Sequence, residues 1–126
     1  MLADSKVNSG FAVDDVQKAR DFYEGTLGLK TTTFDEEHGL IAINHTDGRD
    51  TFVYTKEDFV PATYTVLNFT VDDVDAAVDE LAGKGVEFER YDGFEQDEKG
   101  ISRSPGPQVA WFKDPAGNIF SVLQQS

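Results

Sequence analysis

The chain of 126 residues contains no cysteine, which rules out disulfides, thiolate metal sites and a cysteine nucleophile. Basic residues are scarce, 11 against 24 acidic ones, for a net charge of −13 and a pI near 4.3. Nucleic acid and anionic membrane both require a basic footprint, so neither is an expected partner. No apolar run approaches the length of a membrane span. The opening Met1–Lys6 has neither the basic region nor the apolar stretch of a signal peptide, and a cytoplasmic location is expected. No glycine-rich phosphate loop follows a strand, and no serine sits in a Gly-x-Ser-x-Gly turn.

What the chain does have is apolar bulk. Hydrophobic residues make up 39% and aromatics 12%, with ten phenylalanines. That suffices for the core of one domain. The acidic excess favours solubility; a salt-rich cytosol or an acidic proteome would produce the same balance.

An internal repeat fixes the architecture. Phe11-Ala12-Val13-Asp14-Asp15-Val16 returns 58 residues further on as Phe69-Thr70-Val71-Asp72-Asp73-Val74. The register persists, with Ala19 opposite Ala77 and Asp21 opposite Asp79. After one deletion, Gly28-Leu29 meet Gly85-Val86 and Phe34-Asp35 meet Tyr91-Asp92. The chain therefore divides into modules at about residues 5–56 and 64–124, with a linker at about 57–63.

Each module opens with alternation that predicts a strand, Val7, Phe11 and Val13 on one side and later Leu67, Phe69 and Val71. Asp14 or Asp15, and Asp72 or Asp73, then caps a helix. Val16, Ala19, Tyr23 and Leu27 form the apolar stripe of the first helix; Val74, Ala77, Val78 and Leu81 form that of the second. Gly28 and Gly85 supply left-handed stops. Three extended segments follow in each copy: Leu29–Phe34, Leu40–Asn44 and Thr51–Thr55, then Val86–Tyr91, Val109–Lys113 and Ile119–Gln124. Asp114-Pro115-Ala116-Gly117-Asn118 reads as a turn. Each sheet has one face under its helix and another needing cover. Two copies curling together would supply that cover and leave a cavity.

Val13-Asp14-Asp15-Val16, followed by Phe22-Tyr23-Glu24-Gly25-Thr26-Leu27-Gly28-Leu29, resembles the opening of a module of the vicinal oxygen chelate (VOC) superfamily. This superfamily includes the glyoxalase, bleomycin-resistance and dioxygenase proteins. Phe112-Lys113-Asp114-Pro115-Ala116-Gly117-Asn118 is similar to its closing hairpin. The resemblance covers nearly the whole chain. It implies an α+β fold of two tandem βαβββ modules forming a U-shaped groove, and a homodimer.

Many enzymes of that superfamily hold a divalent metal through His or Gln on the first strand of each module and Glu on the last. Mapped onto this chain, the first-strand positions are Asn8 and Val66. The last-strand positions are Ser121 and, in the first module, Val53 or Tyr54, depending on how the hairpin aligns. Valine cannot ligate, and Asn and Ser are poor ligands for zinc, iron or nickel. No metal or other cofactor is expected. His38 and His45 fall in turns and read as solvated loop residues.

Alternation places Asn8, Val66, Asn68 and Ser121 toward the groove, with Ile119 and Leu123. Trp111 joins them if Phe112 packs beneath, and Tyr54 is a plausible wall. The alternative is that these side chains simply fill the interior. The polar, Gly/Pro-rich segment 92–107 is longer than a hairpin needs and suits a lid. Within it, Arg103 either meets a ligand carboxylate or phosphate or offsets Glu95, Asp97 and Glu98. No acid/base pair is nominated from spacing. The leading expectation is metal-independent binding of a small aromatic or amphiphilic molecule. The rivals are a lyase, isomerase or dioxygenase with non-standard or no metal ligands, and a protein-interaction or regulatory module.

Overall fold

In a computed structural model the chain separates into two units, Met1–Pro61 and Ala62–Ser126. Residues 1–103 and 106–125 are described. In the first unit, strand β1 (Ser9–Val13) leads into helix α1 (Val16–Asp21), then β2 (Lys30–Asp35), β3 (Leu40–Asn44) and β4 (Asp50–Thr55). The sheet order is β1-β4-β3-β2, with β1 parallel to β4 and the remaining pairs antiparallel. The second unit runs β5 (Thr65–Thr70), α2 (Val74–Gly83), β6 (Gln108–Lys113) and β7 (Ile119–Gln124), with sheet order β5-β7-β6.

Both helices start where a carboxylate meets free amides. Asp15 accepts from the amides of Gln17 and Lys18, and Asp73 from that of Ala76. Of the paired candidates, the second aspartate is the cap in each copy. The first helix changes pitch early: a π-helical turn, Phe22–Thr26, follows α1 and carries Tyr23 into the core with no exposure. Gly28 (φ 70°) and Gly85 (φ 94°) take the left-handed conformation after the two helices.

Alternation then sorts each sheet into two faces. In the first, Phe11, Val13, Ile41, Ile43, Thr51 and Val53 are buried on the helix side, where the Phe11 and Tyr23 rings meet edge to face at 6.5 Å. In the second, Ala110, Phe112, Phe120 and Val122 are buried beneath α2 residues Val74 and Val78. The ring of Phe112 lies 5.7 Å from that of Phe120, and the Phe120 ring lies 6.1 Å from that of Phe69.

Two expectations are corrected here. Val7 is 66% exposed and not core, because ladder pairing of β1 begins only at Ser9 opposite Thr51. The stretch Val86–Tyr91 makes a single bridge, Phe88 to Phe112, and the Glu89 amide bonds the Trp111 carbonyl at 2.8 Å. It is therefore not a strand, and the second sheet has three strands against four in the first. No helix among the described residues is long and apolar enough to cross a membrane.

Candidate functional site

The register of β5, β7 and β6 sets Asn68 opposite Ser121 and Ser121 opposite Trp111. Their neighbours Phe69, Phe120 and Phe112 point toward the helix, so these three side chains form a row on the helix-free face. Ser121 has no exposed surface, and its hydroxyl donates to Asn68 Oδ1 at 2.6 Å. That bond occupies the amide oxygen, so the exposed Asn68 presents its nitrogen as a donor. The half-buried Val66 lies on the same strand, next to a register shift between Thr65 and Leu67.

Aromatic side chains from the following segment complete the row. The Tyr91 ring meets Trp111 edge to face at 5.5 Å, and Phe94 lies 4.9 Å from it in a tilted stack. Phe94 remains 54% exposed. The Tyr91 hydroxyl is buried without a hydrogen-bond partner, and burial, aided by the Glu89 carboxylate, pushes its titration above the usual tyrosine value. Alternation places Trp111 on this face, but no sequence pattern marks Tyr91 and Phe94 as its neighbours.

Arg103 is held by its neighbours. It reaches Asp75 on α2 at 2.8 Å and Asp97 at 2.9 Å, and also donates to Gln108. The Arg103 guanidinium keeps the Asp75 carboxyl below its usual range. Burial pulls Asp97 the other way, but amide hydrogen bonds from Ile101 and Lys99 and the Arg103 guanidinium outweigh it, so Asp97 is also lowered. Asp75 was absent from the partners expected for Arg103. Ser104 and Pro105, within the segment expected as a lid, lie outside the described residues.

In the first unit Asn8 accepts from the Asp50 amide at 3.4 Å. Register resolves the Val53 or Tyr54 ambiguity of the hairpin: Val53 is buried on the helix side, whereas Tyr54 is 41% exposed on the opposite face. A hollow of about 300 Å³ lies instead at the start of α1, lined by Asp15, Arg20, Thr33, Glu37 and His38 among others. There Arg20 donates to Thr33 at 2.9 Å, while its Nε is buried and unpartnered. His38 pairs with Asp35 at 2.9 Å on the surface. His45 departs from the solvated reading: it is half-buried, and its Nε2 lies 2.7 Å from the buried Thr51 hydroxyl.

The donor chemistry does not fit the metal implied by the superfamily. Val66 offers no lone pair, Tyr54 presents only a phenol oxygen, and the Ser121 hydroxyl is already bonded to Asn68. Among the described residues no three His, Cys, Asp or Glu side chains group as a metal would require.

Repeated strand–helix–strands units, each with one sheet face left free by its helix, define an α+β protein of the paired-module kind. The chain belongs to the glyoxalase/bleomycin resistance protein/dioxygenase superfamily, whose profile matches residues 7–122. It is similar to the solved structure of TnmS3, an antibiotic binding protein from Streptomyces sp. CB03234, with 25% identity, 98% of each chain covered and a TM-score of 0.74. A superfamily member from Sphaerobacter thermophilus DSM 20745 shares 22% identity, with 99% of this chain and 100% of that one covered and a TM-score of 0.74. Lactoylglutathione lyase from Agrobacterium tumefaciens shares 18%, with 96% and 93% covered and a TM-score of 0.70. These last two likenesses show the fold alone. No curated protein sequence matches the chain.

Proposed function

We propose that this protein binds a small aromatic or amphiphilic organic molecule on the helix-free face of its second sheet, without a metal. The observation that carries this reading is the aromatic group of Trp111, Tyr91 and Phe94, set beside the Asn68–Ser121 pair. Rings stack on a flat ligand, and the Asn68 amide nitrogen orients it by donating a hydrogen bond. Burying about 200 Å² of ligand apolar surface contributes roughly 5 kcal/mol before association costs. The likeness to an antibiotic binding protein supports the ligand class. Val66 is a further candidate contact, and a cytoplasmic homodimer is the expected setting.

Trp111 is the chain's one tryptophan, so its fluorescence reports this site directly. Titration with a panel of aromatic antibiotics should produce saturable quenching by at least one compound, together with a rise in Tm. Substitution Asn68→Leu should weaken that compound about tenfold through loss of one hydrogen bond. A panel in which no compound quenches saturably or raises Tm would refute the reading.

A further inference from the structure

We infer that Arg103 is a positioning residue for the aromatic site: it fixes the segment that lays Tyr91 and Phe94 against Trp111. This rests on the reading that Trp111 belongs to the ligand site. The segment has no ladder to hold it beyond the Phe88 bridge and the isolated pairs Gln96–Ser102 and Ser102–Val109. Its order comes from side chains. Gln96 donates to the Glu89 and Gly100 carbonyls at 2.9 and 2.7 Å and accepts from the Tyr91 amide at 2.9 Å. The adjoining Asp97 accepts from the Lys99 and Ile101 amides, both at 2.9 Å, which closes the turn.

Arg103 anchors that turn to the helix. Its Nη1 and Nη2 donate to the two oxygens of Asp75 at 3.2 and 2.8 Å, and its Nε and Nη2 to Asp97 Oδ2 at 3.1 and 2.9 Å. Lys99 adds a second tie, to Asp79 at 3.0 Å and Asp75 at 3.5 Å. The planar fork of arginine serves both carboxylates at once, which a lysine ammonium cannot do in the same geometry. Removing the guanidinium would leave two carboxylates facing each other, so the turn would be repelled from α2 as well as released. Phe94 lies between Tyr91 and Gln96 in the chain, and its seat on Trp111 depends on that turn staying docked.

The test uses acrylamide quenching of Trp111 in the full chain. Arg103→Gln should raise the quenching constant about two- to threefold and shift the emission to the red, with Arg103→Lys in between. Sodium chloride at about 1 M, where the screening length falls to about 3 Å, should move the unsubstituted protein the same way and leave Arg103→Gln almost unchanged. Should Arg103→Gln fail to fold, Asp75→Asn severs the helix arm alone and should give the same increase. Trp111 as protected in these variants as in the parent overturns the inference, whatever binds. Binding of 1-anilinonaphthalene-8-sulfonate is read in parallel. Increased quenching with no probe bound to either protein upholds the positioning role and counts against the ligand site.

Discussion

The turn between β2 and β3 offers a sharp test of the packing. Gly39 has φ of 73°, and a Cβ there would sit 2.3 Å from Thr55 Oγ1 and 3.0 Å from Thr55 Cβ. Gly48, in the turn between β3 and β4, has φ of 85° and open space around its would-be Cβ. Alanine at Gly48 therefore suffers only left-handed strain, about 1–2 kcal/mol. Alanine at Gly39 suffers the same strain plus overpacking of about 1–3 kcal/mol, for a total of about 2–5 kcal/mol. Strand β4 cannot ease away, because the Thr55 amide bonds the Gly39 carbonyl at 2.9 Å. Urea unfolding of both variants measures the difference, and thermal unfolding should separate them by roughly 3–10 °C. Equal stabilities for Gly39→Ala and Gly48→Ala would show that the close approach to Thr55 is absent and would refute the reasoning.

Two further outcomes follow from charge. With a net charge of −13, the folded chain repels itself, so added salt should raise Tm by several degrees between about 0.05 and 1 M, although it loosens the Arg103 clasp. A Tm that falls over that range would count against this. Asp35, Asp47, Asp58, Asp75 and Asp97 titrate below their ordinary value of 3.8 when folded, so their stabilisation is complete above that value and lost as pH falls below it. Tm should stay level from about pH 7 to 5 and drop beneath about 4; a decline that begins near neutrality would assign acid sensitivity to other groups.

The faces of the sheets were legible because side-chain period 2 is strict wherever a ladder forms. Phe112, Phe120 and Val122 took the helix side, and Trp111 and Ser121 the other, as alternation required. What alternation cannot show is where a ladder stops. Val7 continues the pattern of β1 yet precedes its first pair, and Val86–Tyr91 has strand composition without a strand's bonds. The contacts that assemble the aromatic site were invisible for a related reason. Phe94 and Trp111 meet only because Gln96, Asp97 and Arg103 fold the intervening chain back. No periodicity records such contacts. Arg103 had two readings in the sequence, and its helix partner Asp75 was in neither, since that pairing depends on where the loop returns to α2.

The two copies differ most in the segment that follows the helix. In the first unit, the segment after the helix is a true strand: β2 pairs with β3 and turns back within a few residues. Its counterpart in the second unit gives up all but one bridge, and the chain runs on to Gln108 before β6 begins. Lengthening a connection costs little entropy per added residue, but releasing a strand forfeits ladder bonds outright. Here those bonds are replaced by side-chain ties from Gln96, Asp97 and Arg103, and the released segment delivers Tyr91 and Phe94 to the free face beside Trp111. A second strand in that position would have kept its hydrogen bonds within the sheet plane and could not have laid two rings over it. The departure from symmetry between the copies thus coincides with the helix-free face that carries Trp111, the exposed Phe94 ring and the Asn68 amide donor.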